Sequence, residues 1–276
     1  MNDSAYGNVP LSQLPADEKA KRAASFGAAA SHYERYRPGP PPAAVDWVVP
    51  QHVGRIVDLG AGTGALTRLL TDRADEVVAV EPDDRMRAVL ASEVPAARAV
   101  GGRGESIPLP DGFADAVIAS SSWHWMDPLP TLHEVGRVLV PGGVLAALWS
   151  GPDPEGAFID QARALLAQRP QGAGDTEAAD AILTDTDRPL PTLEILPGVP
   201  FEAPEHEIFR WDVALTADDL IGLLGTLSWV ITMEPDVRER ILTSARRLLA
   251  ELLGVEGDVT VDVGFRCDVW RSARQV

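Results

Sequence analysis

The stretch VGRIVDLGAGTGALTRLLTDRADEVVAVEPD, residues 53–83, decides the fold. It opens with an apolar pair, Ile56 and Val57, and passes through Asp58 into a loop with glycine at 60, 62 and 64. Leu66, Leu69 and Leu70 then follow helical spacing, and a second apolar run, 77–80, is closed by Glu81. Short apolar runs bounded by turn residues read as buried strands, and three-to-four spacing reads as a helix. The stretch is therefore one strand, a glycine loop, a helix and a second strand.

Glycines at such a loop let the chain turn sharply and let a ligand approach main-chain N–H groups without meeting a Cβ. The following helix points its positive dipole end at the same place. Glu81 stands near the ~20-residue offset at which an acid accepts hydrogen bonds from ribose hydroxyls. The unit reads as a binder of an adenosine-containing cofactor. The glycines alone do not choose which one, because Gly60-x-Gly62-x-x-Ala65 also satisfies the permissive dinucleotide fingerprint, and a nicotinamide-dependent oxidoreductase stays a rival. Asp58 weighs against that rival. A carboxylate two residues before the first glycine faces a diphosphate unfavourably but can pair with the α-ammonium of S-adenosylmethionine. The plainer alternative is an Asp that only caps the turn.

The 276 residues, 45% of them hydrophobic, suffice for one sizeable α/β domain with insertions. No apolar run approaches the ~18 residues that span a bilayer, and MNDSAYGNVP carries no apolar signal core; a cytoplasmic location is expected. Lys and Arg number 24 against 41 Asp and Glu, a net charge of −17. That balance argues against a nucleic-acid partner and for a small-molecule substrate, although a solvated acidic surface is the plainer explanation of the charge. The single cysteine, Cys267, excludes an internal disulfide and a cysteine-cluster zinc site. No repeated acidic or histidine pattern suggests a divalent metal, and none is expected.

Along the chain, residues 1–20 are polar and proline-containing and are expected to be poorly ordered. Residues 21–50 are expected to form lid helices, with Phe26, Ala30 and Tyr33 at helical spacing and a proline run, 38–42, that stops the helix. Tyr33, Tyr36 and Arg37 near its end either close over the site or lie on the surface of a packing helix. Residues 51–150 form the expected cofactor-binding core. Pro82 starts a helix over 83–94 whose apolar side includes Met86, a candidate for adenine packing or simply core. A short strand at 97–100 leads into a turn-rich loop, 101–112, that would present Gly104 and Glu105 to the adenine edge. The buried strand 114–119 runs into Ser120-Ser121-Ser122-Trp123-His124-Trp125, at the carboxyl end where ligands of parallel sheets bind. His124 is the best general-base candidate; the alternative is a histidine that only orients the loop. A helix over 131–139, a turn at 141–143 and an apolar strand at 144–149 continue the alternation of a doubly wound sheet. Residues 151–276 complete it, with a helix at 158–167, a Pro/Gly/Asp-rich excursion at 170–200, a strand at 206–213, and amphipathic helices at 217–227 and 235–253. The closing strand, 259–270, alternates as an antiparallel strand does. Trp123, Trp125, Trp211 and Trp229 hint at an apolar or aromatic pocket.

With VDLGAGTG (57–64), VEPD (80–83), GRGESIPLPDGFAD (102–115), the pair His124-Trp125 and LHEVGRVLVPGGVLA (132–146) in this order, the chain resembles the class I S-adenosylmethionine-dependent methyltransferases. The likeness is greatest to the group of ubiquinone/menaquinone and trans-aconitate methyltransferases. It covers roughly residues 25–150, and the C-terminal third matches loosely. It implies an α/β fold: a doubly wound, Rossmann-like seven-stranded sheet with the last strand antiparallel, an N-terminal lid helix and a C-terminal helical cap. It implies that the Asp58–Gly64 loop, including Ala61 and Thr63, holds the methionine portion, and that Glu81, followed by Pro82, takes the ribose hydroxyls. Asp83 and Met86 would surround the adenine, Gly104 and Glu105 would meet it, Ser120 would lie beside the sulfonium, and Tyr33 and Arg37 would form the lid. The implied reaction is metal-independent methyl transfer to O, N or C of a small molecule, with His124 needed as a base only if the acceptor carries a proton. A protein that binds the cofactor without transferring the methyl is the alternative.

Overall fold

The computed structural model describes residues 36, 38–168, 190–231 and 233–276. The expected tail 1–20, residues 21–35 of the lid with Tyr33, Arg37, and residues 169–189 of the excursion lie outside these. Seven strands, β1 (Val53–Leu59), β2 (Ala74–Val80), β3 (Arg98–Val100), β4 (Ala114–Ser120), β5 (Leu139–Pro152), β6 (Glu205–Thr216) and β7 (Thr260–Ala273), join in one sheet. Its order is β3-β2-β1-β4-β5-β7-β6. β1 to β5 pair in parallel, and β7 runs antiparallel between β5 and β6. The strand order reverses between β1 and β4, so the crevice outside their carboxyl ends is where such a sheet binds ligand.

Among the described residues the helices are α1 (Pro42–Val48), α2 (Ala65–Leu70), α3 (Asp84–Glu93), α4 (Pro128–Val138), α5 (Ala157–Ala167), α6 (Ala217–Leu224) and α7 (Pro235–Leu253), with a helical turn at Ser228–Ile231. Because both faces of the central strands are covered, their sequences read as apolar runs with no polar alternation. On one face Val57, Leu59, Val78, Val117, Leu145 and Trp149 pack with Leu132 and Val135 of α4 and with Leu193 and Phe201. On the other, Ile56, Val77, Ile118 and Leu148 pack with α1 and α2 and with Cys267 and Val269 of β7. Burial pushes the Cys267 thiol up to about 12, so it behaves as a small core residue. A third cluster seats α5, α6 and α7 on β6 and β7 through Leu215, Val263 and Phe265.

Several boundaries differ from the sequence reading: β6 and β7 each extend three residues farther at their carboxyl ends, α6 stops three residues sooner, and the largest difference lies at the junction of α4 and β5. α4 begins at Pro128, since proline suits the first helical position, and ends before Leu139. Residues 139–143 belong to β5: Leu139 pairs with Ala114, the register then shifts, and pairing resumes from Val144 with Ala116. The Gly142-Gly143 pair is held by the end of β7, where Gly142 N–H donates to the Arg274 carbonyl and Arg274 N–H to that of Gly143. α7 keeps its expected bounds, set by Pro235 at its start and by Gly254 in the left-handed conformation (φ 64°) just past its end.

Candidate functional site

The glycine loop is stapled to the tip of β2, because the N–H groups of Gly60 and Ala61 both donate to the Val80 carbonyl, at 2.8 and 3.2 Å. Gly60 has φ +70°, and a Cβ there would lie 2.6 Å from Ser122 Cβ, so both backbone and space demand glycine. Gly62 differs: its φ is +57°, but a Cβ would meet no described atom within 4 Å, so only the backbone angle demands glycine. Gly62 N–H donates to Glu81 Oε2 at 2.9 Å, and Asp83 N–H donates to Glu81 Oε1 at 2.9 Å. The loop after β1 and the acid after β2 thus form one unit.

Asp58 lies beneath it, 1% exposed. Its Oδ2 accepts from Thr67 Oγ1 of α2 at 2.6 Å, while Oδ1 is buried and accepts no hydrogen bond. Burial pushes the Asp58 carboxyl up to about 7 against the opposing Thr67 bond, and negative Glu81 adds to the rise. Burial likewise raises Glu81, against the N–H groups of Asp83 and Gly62. Two buried acids with raised affinity for protons mark a place for a cationic or hydrogen-donating ligand.

Past the end of β2, Asp83 caps α3, its Oδ1 accepting from the N–H groups of Arg85 and Met86 at 2.9 and 3.2 Å. The Arg85 guanidinium beside it holds the Asp83 carboxyl below its ordinary range. Pro82 is exposed and Met86 half-buried. Gly104 is buried under Met126, whose Sδ would lie 2.5 Å from a Cβ there, and Glu105 Oε1 accepts from Asp127 N–H, at the start of α4, at 2.8 Å. The rest of this loop is held by two residues of α4. Glu134 Oε2 accepts from Ile107 N–H at 2.9 Å, and Arg137 donates to the carbonyls of Ile107 and Leu109 at 3.0 and 2.8 Å while pairing with Glu134 and Asp111.

Ser120 ends β4, and the chain then turns through Ser121, the sole described non-glycine residue with positive φ (52°). Such a conformation costs of order 1 kcal/mol and is held by Ser121 N–H donating to Leu148 O at 2.7 Å and Ser122 Oγ donating to Leu59 O at 2.7 Å. The turn delivers a single 3₁₀ helix, Trp123–Trp125. Trp123 is buried core, whereas His124 is half-buried, tilted against Trp125 with ring centres 5.5 Å apart. Trp149 of β5 donates its indole N–H to His124 Nδ1 at 2.9 Å. Trp211 packs on Phe265, on the sheet face opposite Trp149, and takes no part here; the side chain of Trp229 lies outside the described residues. Tyr36 lays its ring on Gly222 of α6, where a Cβ would come within 2.3 Å of it.

The structure thus brings Asp58, the 60–63 loop and Glu81 together at the crevice, with Ser120 and the His124 turn at the end of the neighbouring strand. Tyr33 and Arg37 lie outside the described residues. Sequence reasoning missed Thr67, Ser122, Glu134, Arg137 and Trp149. Thr67 did carry a signal, a polar residue between Leu66 and Leu70 on the buried side of α2; the others act on partners that only the fold brings near. Among the described residues no three His, Cys, Asp or Glu side chains gather to hold a metal, and no helix is long and apolar enough to cross a membrane.

A Rossmann-like seven-stranded sheet with an antiparallel strand inserted near its edge, and an acid-flanked glycine loop at its switch point, defines the class I methyltransferase fold. Comparison with known proteins agrees. Residues 57–147 match the family described as a methyltransferase domain. Over 226 residues the chain is 38% identical to an uncharacterized methyltransferase of Mycobacterium tuberculosis, covering 82% of this chain and 86% of that one. A demethylmenaquinone methyltransferase of Thermus thermophilus is 38% identical over 122 residues, 42% of this chain and 56% of the relative. A structure from Anaeromyxobacter dehalogenans, assigned as a type II methyltransferase, superposes with a TM-score of 0.53 at 22% identity over 87% of this chain and 98% of that one. The chain belongs to the methyltransferase family.

Proposed function

We propose that the protein transfers a methyl group from S-adenosylmethionine to an O, N or C atom of a small-molecule acceptor, without a metal, in the cytoplasm. The observation that carries this reading is the buried Asp58 carboxylate, with one oxygen on Thr67 and the other without a partner, below a loop clamped by Glu81. An α-ammonium is the cation whose N–H groups suit such an oxygen. Glu81 spends one acceptor site on each oxygen, on Gly62 and Asp83, and a carboxylate has about four, so it keeps capacity for a ribose diol. The residues present therefore fit the cofactor.

The cofactor supplies a methyl group made electrophilic by its sulfonium. The chain's task is to bind, align and exclude water. In this reading Asp58 and the 60–63 loop hold the methionine end, Glu81 and Pro82 the ribose, and Asp83, Met86, Gly104 and Glu105 the adenine. Ser120 stands beside the reacting centre and His124 on the acceptor side, with Tyr33 and Arg37 on the lid. Residues 51–150 act as the cofactor core, 21–50 as lid and 151–276 as the part that completes the sheet and caps the acceptor. The test is calorimetric titration with S-adenosylmethionine and S-adenosylhomocysteine, followed by transfer of a tritiated methyl group to a panel of small acids, phenols and amines. Absence of cofactor binding would overturn the reading, and labelled product at catalytic turnover would support it.

A further inference from the structure

We propose that Met126 is a positioning residue for the cofactor: its thioether lies where side chains would stand at Gly60 and Gly104, and so sets the distance between the loop for the methionine end and the loop for the adenine. This rests on the reading that these two loops hold S-adenosylmethionine. Gly60 follows β1 and Gly104 follows β3, and β2 stands between those strands in the sheet, so strand pairing does not join the two loops directly. Met126 does. A Cβ at Gly60 would lie 3.2 Å from Met126 Cε, and a Cβ at Gly104 would lie 2.5 Å from its Sδ and 3.1 Å from its Cγ. One side chain thus packs against the main chain of both loops, its methyl on one and its sulfur on the other. An unbranched, polarisable thioether suits so irregular a gap.

Met126 is itself held in place. It closes the 3₁₀ turn, its N–H donating to the Trp123 carbonyl at 3.1 Å, and it packs on the core cluster that contains Val57 and Trp149. Residues beside it brace the same loops: Ser122 Oγ donates to the carbonyl of Leu59, next to Gly60, and Asp127 N–H donates to Glu105, next to Gly104. The connection from β4 to α4 therefore grips both loops, with Met126 between them. The two glycines differ in what they demand. Gly60 is bound to its φ of +70°, whereas the φ of Gly104 lies outside the left-handed region, so only occupied space bars a Cβ there. Met126 takes most of that space, and Cγ2 of Thr131, at 3.0 Å, takes the rest. Loops whose spacing is fixed before a ligand arrives bind a ligand that spans both without the cost of ordering them.

The test is calorimetric titration of the full chain with S-adenosylhomocysteine, comparing wild type with Met126→Leu, Met126→Ala, Gly104→Ala and the double variant Met126→Ala/Gly104→Ala, each shown folded by circular dichroism. Met126→Leu nearly conserves volume and should bind within about fivefold of wild type. Met126→Ala empties the space and Gly104→Ala competes for it, so each should lose about tenfold. In the double variant the new methyl enters space that the methionine has given up, and the loss should stay near tenfold, where independent sites would give about a hundredfold. Wild-type affinity in Met126→Ala, equal losses in Met126→Leu and Met126→Ala, or a loss of about a hundredfold in the double variant would overturn the proposal. Wild-type affinity in Gly104→Ala would overturn it whether or not Met126→Ala folds. Absence of binding to the wild type would overturn the reading on which the proposal rests, and the proposal with it, so the two failures are told apart.

Discussion

Asp58 keeps one oxygen on Thr67 and the other without a partner, and in the ligand-free protein that arrangement makes the buried charge costly. Its carboxyl holds a proton more tightly folded (about 7) than the ordinary 3.8 of an exposed group. The contribution to stability is therefore present below pH ~4 and lost as pH rises through about 7, a matter of a few kcal/mol. Raised Glu81 acts in the same direction, so the difference between wild type and Asp58→Asn isolates Asp58. Urea melts at pH 5 and pH 8 should show the variant losing less stability than wild type over that interval, while its affinity for S-adenosylmethionine falls at least tenfold. An identical pH slope in the two proteins would contradict the assignment. Glu81→Ala should weaken cofactor binding by about 1–3 kcal/mol, the cost of losing charge-assisted hydrogen bonds, read by the same titration. At this scale Asp58, Glu81 and the glycines were legible because one motif spaces them. The state of Asp58 was not, because it depends on burial and on Thr67, and the bond from Trp149 to His124 was not, because only the fold brings β5 to that turn.

The loop bearing Gly104 and Glu105 gets its shape from α4, where Arg137 binds two of its carbonyls and Glu134 one of its N–H groups. Arg137→Ala removes both carbonyl contacts and leaves Glu134 without its guanidinium partner. We expect stability to fall by about 1–3 kcal/mol, and cofactor affinity to fall severalfold with kcat less affected, as thermal melts and steady-state kinetics would show. At α6, Gly222→Ala raises helix propensity, yet a Cβ would come within 2.3 Å of the Tyr36 ring. The variant should lose the ring's seat and with it about 1 kcal/mol or more, whereas a stabilised variant would show the ring free to move aside. Elements carried by strong periodicity, such as α7, were legible to the residue. The 139–143 stretch was not, because its Pro-Gly-Gly reads locally as a turn while the end of β7 draws it into the sheet.

For the whole molecule, the decisive feature is that β7, from the far end of the chain, lies between β5 and β6. Residues 51–150 and the C-terminal part share one continuous sheet, so they should unfold in a single transition whose midpoint, in the proposed reading, rises with bound S-adenosylhomocysteine. Two separated transitions would show that the parts fold independently. The Rossmann-like sheet was legible from strand and helix alternation up to residue 149. The antiparallel insertion was expected only through the resemblance, since alternation in the final strand marks an antiparallel neighbour but not which strands flank it. The central claim is that Asp58 and Glu81 frame an S-adenosylmethionine site, and calorimetric titration of wild type and Asp58→Asn at pH 8 tests it most directly. Saturable one-to-one binding to the wild type, weakened at least tenfold in the variant, is the predicted result; no binding to the wild type, or equal affinity in both, would contradict it.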